Sequence, residues 1–252
     1  MIRKPKLPPD YRLVKFDVVD STNIVARRLA VDENAPHGTV VVAERQEAGR
    51  GRRGNVWSSP PGNLYSSFIL RPKCSIADAT QISFIAALAV ADTIISLGGD
   101  EIDVWCKWPN DVLVGAAKIA GILLECEGGN GNPDFIILGI GINIASHPTD
   151  TPYATVSLAN ITDGAVDIAD VLEVLADRLL VWSDIWSNEG FSAIRAAWLQ
   201  RAKGKGEAVT VRLATETLEG IFDDLDHDGA LIIASADGNR RVTAGEVFFG
   251  RP

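Results

Sequence analysis

"KWPNDVLVGAAKIAGILLE" runs from Lys107 to Glu125. It follows "IDVWC", an apolar run suited to a strand, and it reads as a tight turn, a short strand and a second, longer strand. Pro109 fixes its own φ, and Asn110 and Asp111 have side chains that accept backbone N–H bonds, so the turn needs no further cause. Taken alone, the segment is chain punctuation inside a sheet. "KIAGILLECE" leads through the turn signal "GGNGNP" into "DFIILGIGINIA", which is one more strand.

Working outward, the elements mix. Upstream, "DSTNIVARRLA" begins with cap residues at Asp20–Asn23 and continues as a short amphipathic helix. "GTVVVAERQ" (38–46) and "NLYSSFILRP" (63–72) are strands, the second ended by Pro72. Residues 77–97 predict one buried helix closed by Gly98 and Gly99. Downstream, Ile168, Val171, Leu172, Leu175, Leu179, Trp182, Ile185 and Trp186 recur at helical spacing, and "FSAIRAAWLQRA" adds a second helical segment. Past "KGKGE" the texture changes to short strands, "EAVTVRL", "ETLEGIFDDL", "GALIIAS" and "RRVTAGEV", divided by "DHDG" and "ADGN" turns. That pattern predicts a small C-terminal barrel. The expected class is α+β, with domains at 1–203 and 204–252.

Composition narrows the function. The chain has 252 residues, 46% of them hydrophobic, and a net charge of −9, opposite to the basic excess of an extended nucleic-acid surface. Cys74, Cys106 and Cys126 form no Cys-x-x-Cys pair and are odd in number, so they are expected to be buried thiols of a reducing cytoplasm. The basic N-terminus has no apolar run behind it and is no signal peptide. The apolar stretch Ile82–Leu97 carries Asp92 and is shorter than the roughly 20 residues of a bilayer span. The three histidines, His37, His147 and His227, fall in turn-like contexts and are expected at the surface, outside the chemistry.

Against this acidic background "AGRGRRGNVW" (48–57) concentrates three arginines and three glycines. A solvated loop is one reading. A disordered arginine–glycine RNA segment is disfavoured by its shortness. The third reading is an anion cradle, in which glycines admit backbone N–H groups and arginine forks supply charge-assisted bonds. Gly49-x4-Gly54 is followed by Asn55-Val56 in place of Lys-Ser or Lys-Thr, so a P-loop is excluded. "GIGIN" lacks the third glycine and the following helix of a dinucleotide fingerprint.

The four segments together say more than each alone. "STN" at 21–23, "GRGRRG…W", "KWPND" with "KIAGILLE", and "GIGIN" at 139–143 occur in order, and in combination they resemble the biotin–protein ligases. The resemblance implies a class II aminoacyl-tRNA synthetase-like central mixed sheet flanked by helices, with an SH3-like C-terminal β-barrel. It also implies a two-step activity: ATP activates biotin as biotinyl-5'-adenylate, and a lysine of a biotin carboxyl carrier domain then takes the biotin, releasing AMP. Only 20 residues precede Ser21, too few for a helix-turn-helix domain, so the form without DNA binding is expected. A membrane role is not expected. Monomer and homodimer both remain open, since edge strands of the central sheet offer a pairing route.

Neither step needs an enzyme nucleophile; both need positioning and neutralisation of phosphoryl charge. Carried over by motif position, Ser21, Thr22, Asn23 and Gln46 would line the biotin ring pocket. Gly49, Gly51, Gly121 and Gly139 would admit backbone close to biotin. Arg50 and Arg52 would clamp its carboxylate and the α-phosphate, and Lys118 would act with Arg52 as the catalytic cations. Asn55, Trp57, Asn110 and Asn143 would contact ATP. Asn55 stands where some relatives carry arginine, which lowers the positive charge of the loop. Asp111 is a turn residue, a metal ligand or a lysine-orienting group. Mg²⁺ would arrive with ATP, held largely by its phosphates and water. A lipoate–protein ligase is the nearest rival; a non-catalytic biotin sink is disfavoured because it has no need to clamp phosphate.

Overall fold

The computed structural model describes residues 3–129, 131–162, 164–236 and 238–249. Asn130 of "GGNGNP" and Asp237 of "ADGN" lie outside them, as do the extreme ends of both predicted domains. In chain order the elements are β1 (Arg12–Val19), α1 (Thr22–Asp32), β2 (Thr39–Gln46), β3 (Leu64–Leu70), α2 (Ile76–Ala79), α3 (Ile82–Gly98), β4 (Val104–Lys107), β5 (Asp111–Val114), β6 (Ala117–Gly129) and β7 (Asn132–Ile142). Helices α4 (Ile168–Glu189) and α5 (Phe191–Gln200) follow, then β8 (Ala208–Arg212), β9 (Thr217–Leu225), β10 (Leu231–Ser235), β11 (Gly238–Val242) and β12 (Glu246–Phe249).

Seven strands form a mixed sheet in the order β1-β2-β3-β7-β6-β5-β4. The β1–β2 pair is parallel and the others are antiparallel. Strand alternation divides β7 between two faces. Ile136, Leu138, Ile140 and Ile142 join the main core beneath α3, α4 and α5. Phe135 and Ile137 face α1 in a smaller cluster with Val25, Ala26 and Ala30. Continuing on the α1 face, β7 places Gly139 and Gly141, where the sheet has no bulk. Helix α1 therefore covers one end of this face and leaves the other end for a cleft.

The Asp92 charge inside the apolar run of α3 is fully used. Its carboxylate accepts from Trp182 Nε1 at 2.8 Å and pairs with Arg201 at 2.6 Å, pinning α3 to α4 and to the end of α5. Gly99, with φ +97°, ends α3 where an L-residue would be strained, and its N–H reaches Ile95 O. The second sheet is antiparallel, in the order β11-β10-β9-β8-β12. Its Phe222, Leu225, Leu231 and Val247 join the same core as α3 and α5.

Several expectations are corrected. The predicted helix 77–97 is two helices, because Ser75 caps the short α2 and the chain turns again at Thr80–Gln81. Counted together as Ile76–Gly98 the apolar stretch has 23 residues, long enough by composition for a bilayer, yet it is largely buried as core. Strand β1 was not among the expected elements; as an edge strand it carries Lys15 and Asp17 among its apolar residues. "RRVTAGEV" is two strands: β11 ends at Val242, and β12 pairs with β8 on the opposite side of the sheet. Cys106 alone is a buried thiol, with its pKa pushed up to about 12 by burial; Cys126 is exposed and Cys74 half-buried. His37 and His227 are exposed as expected, whereas His147 is half-buried against Thr155.

Candidate active site

One row of cross-strand partners forms the floor of the cleft: Lys107, Asp111, Gly121, Gly141 and Tyr65, from β4 across to β3. A second row, Leu123, Gly139 and Ser67, lies beside it. The cleft above holds about 390 Å³ and is walled by the arginine–glycine hairpin, by Tyr153–Ala154 and by Gly245–Phe249 around β12. The cleft thus lies between the central sheet and the C-terminal sheet.

The end near α1 is a hydrogen-bond network of uncharged side chains, anchored outside the cleft lining on Glu125. Gln46 Oε1 accepts from Thr22 N at 2.8 Å and Thr22 Oγ1 at 3.1 Å, and Gln46 Nε2 donates to Ser59 at 2.8 Å. The single hydroxyl proton of Ser67 faces two acceptors, Asn23 Oδ1 at 2.6 Å and Thr22 Oγ1 at 2.8 Å. Asn23 Nδ2 donates to Glu125 at 2.7 Å. Ser21 takes the N-cap backbone conformation of α1 but its side chain makes no capping bond, so the helix start does not consume its hydroxyl. Ser21, Thr22 and Asn23 are all buried. Fixed donors and acceptors in a buried recess suit a small, polar-edged ring.

The arginine–glycine segment is a folded hairpin, with Trp57 N donating to Gly49 O, Gly51 N to Asn55 O, and Asn55 N to Arg52 O. Arg53 takes φ +54° at its tip and Val56 is 83% exposed there. Arg50 pairs with Glu125 at 3.1 Å. Arg52 donates to Asn110 Oδ1 at 3.3 Å, and its guanidinium pKa is lowered by burial and by neighbouring Arg53. Trp57 turns inward: a Cβ at Gly121 or Gly141 would strike its ring at 2.9 Å or 2.6 Å, so the two glycines make room for the indole.

At the far end, Lys118 Nζ lies 2.7 Å from Asp111, both largely buried, and 5.3 Å from the centre of the Trp57 ring. The Tyr153 ring centre lies 5.5 Å from the same ammonium. Lys107, from the next strand, lies over Phe248 and Phe249 of β12, and burial lowers its pKa. Trp108 donates to Gly229 O at 3.2 Å, fastening the Lys107–Asp111 turn to the C-terminal sheet. Lys118 beside Trp57 and Tyr153, Lys107 beside Phe248 and Phe249, and Arg52 from the hairpin give this end of the cleft three cations, suited to holding phosphoryl oxygens.

Of the residues expected at the site, Ser21, Thr22, Asn23, Gln46, Arg50, Gly51, Arg52, Asn55, Trp57, Asn110, Asp111, Lys118, Gly121 and Gly139 line this cleft. Gly49 and Asn143 do not. Gly49 lets the hairpin close, since a Cβ there would meet Trp57 O at 2.3 Å. Asn143 is buried, donating to Val156 O at 3.1 Å and so holding the loop that carries Tyr153. Gly121 and Gly139 accommodate the side chains of Trp57 and Asn23 rather than a bare backbone–ligand approach. Asp111 is placed as the orienting partner of Lys118; among the described residues no cluster of three His, Cys, Asp or Glu forms a metal site. Lys107, Gly141, Ser67, Glu125, Tyr153 and β12 were missed. Sheet register and domain docking bring them in, although Lys107, Glu125 and Gly141 stand inside segments already singled out.

Residues 15–143 match the Biotin/lipoate A/B protein ligase family, and residues 205–250 match the Biotin protein ligase C terminal domain. The chain belongs to the biotin protein ligase family. It is 41% identical over 236 residues to the Biotin--[acetyl-CoA-carboxylase] ligase of Paracoccus denitrificans, covering 92% of this chain and 98% of that protein. It is 33% identical to the Bifunctional ligase/repressor BirA of Bacillus subtilis, covering 94% of this chain and 74% of that one. Among solved structures, the biotin protein ligase of Aquifex aeolicus in complex with biotin and ATP superposes with a TM-score of 0.81 at 30% identity, covering 95% of this chain and 99% of that one.

Proposed function

We propose that the chain uses ATP to activate biotin as biotinyl-5'-adenylate and transfers it to a lysine of a biotin carboxyl carrier domain. The observation that carries this reading is the continuity of the cleft: a neutral ring recess and the Arg52–Lys118 cations share one floor, linked by Gly121 and Gly141. In the first step a biotin carboxylate oxygen attacks the α-phosphorus and pyrophosphate leaves. Ser21, Thr22, Asn23 and Gln46 hold the ring, while Arg50, Arg52 and Lys118 neutralise the carboxylate and α-phosphate. Asp111 holds the Lys118 ammonium in place, and Trp57 with Asn55 and Asn110 forms the nucleotide side. In the second step the acceptor amine attacks the mixed-anhydride carbonyl and AMP leaves.

Magnesium enters on the ATP phosphates in this reading, with Asp111 already committed to Lys118. We read the central sheet as class II synthetase-like and the C-terminal sheet as SH3-like, with the boundary at 203/204, where the chain passes β4 and enters the glycine turn 204–206. The outer side of β1 pairs with no described strand and is the edge offered to a second copy, while β4 is covered by Arg201–Lys203. We place the protein in the cytoplasm, in keeping with its three free thiols. The test is incubation with biotin, ATP, magnesium and a carrier domain, followed by mass measurement of the carrier. A biotin-sized increase, absent with lipoate, is expected; a lipoate-sized increase instead would replace the reading with its nearest rival.

A further inference from the structure

Glu125 stands behind the ring recess and has been given no role so far. It follows Leu123 on the same face of β6, one row further out, and is not among the residues that line the cleft. One carboxylate oxygen accepts from Asn23 Nδ2 at 2.7 Å, and the other pairs with Arg50 of the hairpin at 3.1 Å.

The first of these contacts settles which way the Asn23 amide faces. An amide oxygen only accepts and an amide nitrogen only donates, so the nitrogen must be the atom that meets the carboxylate. The oxygen then points back into the recess over Gly139, where a Cβ would strike it at 2.2 Å. The recess alone favours the reverse. Thr22 gives its hydroxyl proton to Gln46 Oε1, so Ser67 has one proton for two acceptors, Asn23 Oδ1 and Thr22 Oγ1. With the nitrogen inward, Asn23 would donate to Ser67 and Ser67 to Thr22, and every contact would hold a proton. Glu125 forbids that arrangement, because it would set the amide oxygen against a charged oxygen with no proton between them.

We propose that Glu125 is a specificity-determining positioning residue: by holding the Asn23 oxygen inward, it leaves the recess short of a proton and selects a ring that brings an N–H donor. This rests on the biotin reading above and names the feature of biotin that is recognised. The ureido ring of biotin carries N–H groups, and one of them supplies the missing proton. The dithiolane ring of lipoate carries none, so it would bury the recess with an acceptor still unsatisfied.

The test uses the full chain and calorimetric binding of biotin and of its two cyclic-carbamate analogues, in which one ring N–H or the other is replaced by oxygen. The readout is the N–H penalty, the ratio of the weaker carbamate's Kd to that of biotin. All three ligands carry the same carboxylate, so a change at Arg50 cancels in the ratio. The parent should show a penalty of roughly tenfold or more, the scale of a hydrogen bond lost with its acceptor left unsatisfied. In E125Q the new amide can donate to Asn23 Oδ1, which lets the Asn23 nitrogen turn inward. Biotin should then bind roughly tenfold more weakly, and the penalty should fall to about twofold or less. E125D keeps the charge and should keep the penalty, whatever it loses in overall affinity. A merely structural Glu125 would weaken all three ligands together. A penalty that E125Q leaves unchanged therefore overturns the inference, as does a parent that shows none. If E125Q fails to fold, S67A decides: with the oxygen inward, removing the competing hydroxyl should raise the penalty, and a penalty that stays level or falls overturns the inference. Binding is read without ATP or acceptor. A chain that shows the Glu125-dependent penalty yet biotinylates nothing would keep the inference and lose the ligase reading, while active biotinylation with a penalty indifferent to E125Q would do the reverse.

Discussion

The two ends of the cleft are built on opposite principles. At the α1 end, Thr22, Asn23, Gln46, Ser59 and Ser67 satisfy one another, so the recess is rigid and its donors point in fixed directions before a ligand arrives. At the β4 end, Arg52, Lys107 and Lys118 outnumber Asp111 and Glu246, and only Lys118 has a close carboxylate partner. A ligand entering the first end trades hydrogen bonds at little net gain, which favours selectivity. An anion entering the second end relieves an electrostatic deficit, which favours binding of charge as it develops. Specificity and reactivity are therefore separable along one sheet, and substitutions at each end should leave different kinetic marks.

The largest effect is expected from Lys118→Ala. It removes the cation beside the reacting phosphorus and leaves Asp111 as an unpaired, largely buried carboxylate. Adenylate formation, read as pyrophosphate release in a single turnover, should fall on the order of 10²–10³-fold while the protein stays folded. Full single-turnover release would mean that the cation end does not carry the chemistry. Next in size is Arg52→Gly. Losing a guanidinium that Asn110 holds against the cleft should shorten the half-life of enzyme-bound biotinyl-adenylate by roughly tenfold or more. An unchanged half-life would shift the clamping role to Arg50 alone.

How these residues came to be read from the sequence follows the same division. "GRGRRG", "KWPND" and "KIAGILLE" are local, so Arg52, Asn110, Asp111 and Lys118 were legible from short segments and their combination. Lys107 stands in the same segment but reads as a plain strand residue until β12 closes over it. Ser67 enters only through register, and Glu125, though it closes "KIAGILLE", gains its contact the same way: β3 and β6 bring them to Asn23 across 44 and 102 residues of chain. Asn143 differs in the other direction: its motif is local, and its buried side chain donates to Val156 O, holding the Tyr153 loop from outside the cleft lining. The central strands β2, β3, β6 and β7 were plain because buried strands are dense in apolar residues, and edge strand β1 was not, for the opposite reason.

The neutral end is broken most cleanly by Thr22→Val, which keeps the shape and deletes one hydroxyl. That hydroxyl links Gln46 to Ser67, so its loss frees both partners to rotate. The KM for biotin should rise by roughly fivefold to tenfold, the scale of a neutral hydrogen bond and one unsatisfied group. The KM for ATP should stay within twofold. Parallel increases in both would show that the two ends are coupled and that the separation drawn above does not hold.

The smallest effect is expected where the cation end is held from behind. Trp108 is buried and its indole N–H reaches Gly229 O, in the turn whose Asp226 accepts from Ala230 N and which Arg241 braces through Asp226 and Asp228. Trp108→Phe keeps an aromatic ring and removes only the donor, leaving one carbonyl to find water. The bond is neutral and worth about 1 kcal/mol, so the melting temperature should fall by only a few degrees. The informative readout is kinetic. If the C-terminal sheet serves the cleft by fixing the Lys107–Asp111 turn, the KM for ATP should rise a few-fold with the KM for biotin unmoved. A loss of stability with both constants unchanged would make the Trp108–Gly229 contact a fastening between domains and nothing more, and the roof over Lys107 would then owe its position to β12 alone.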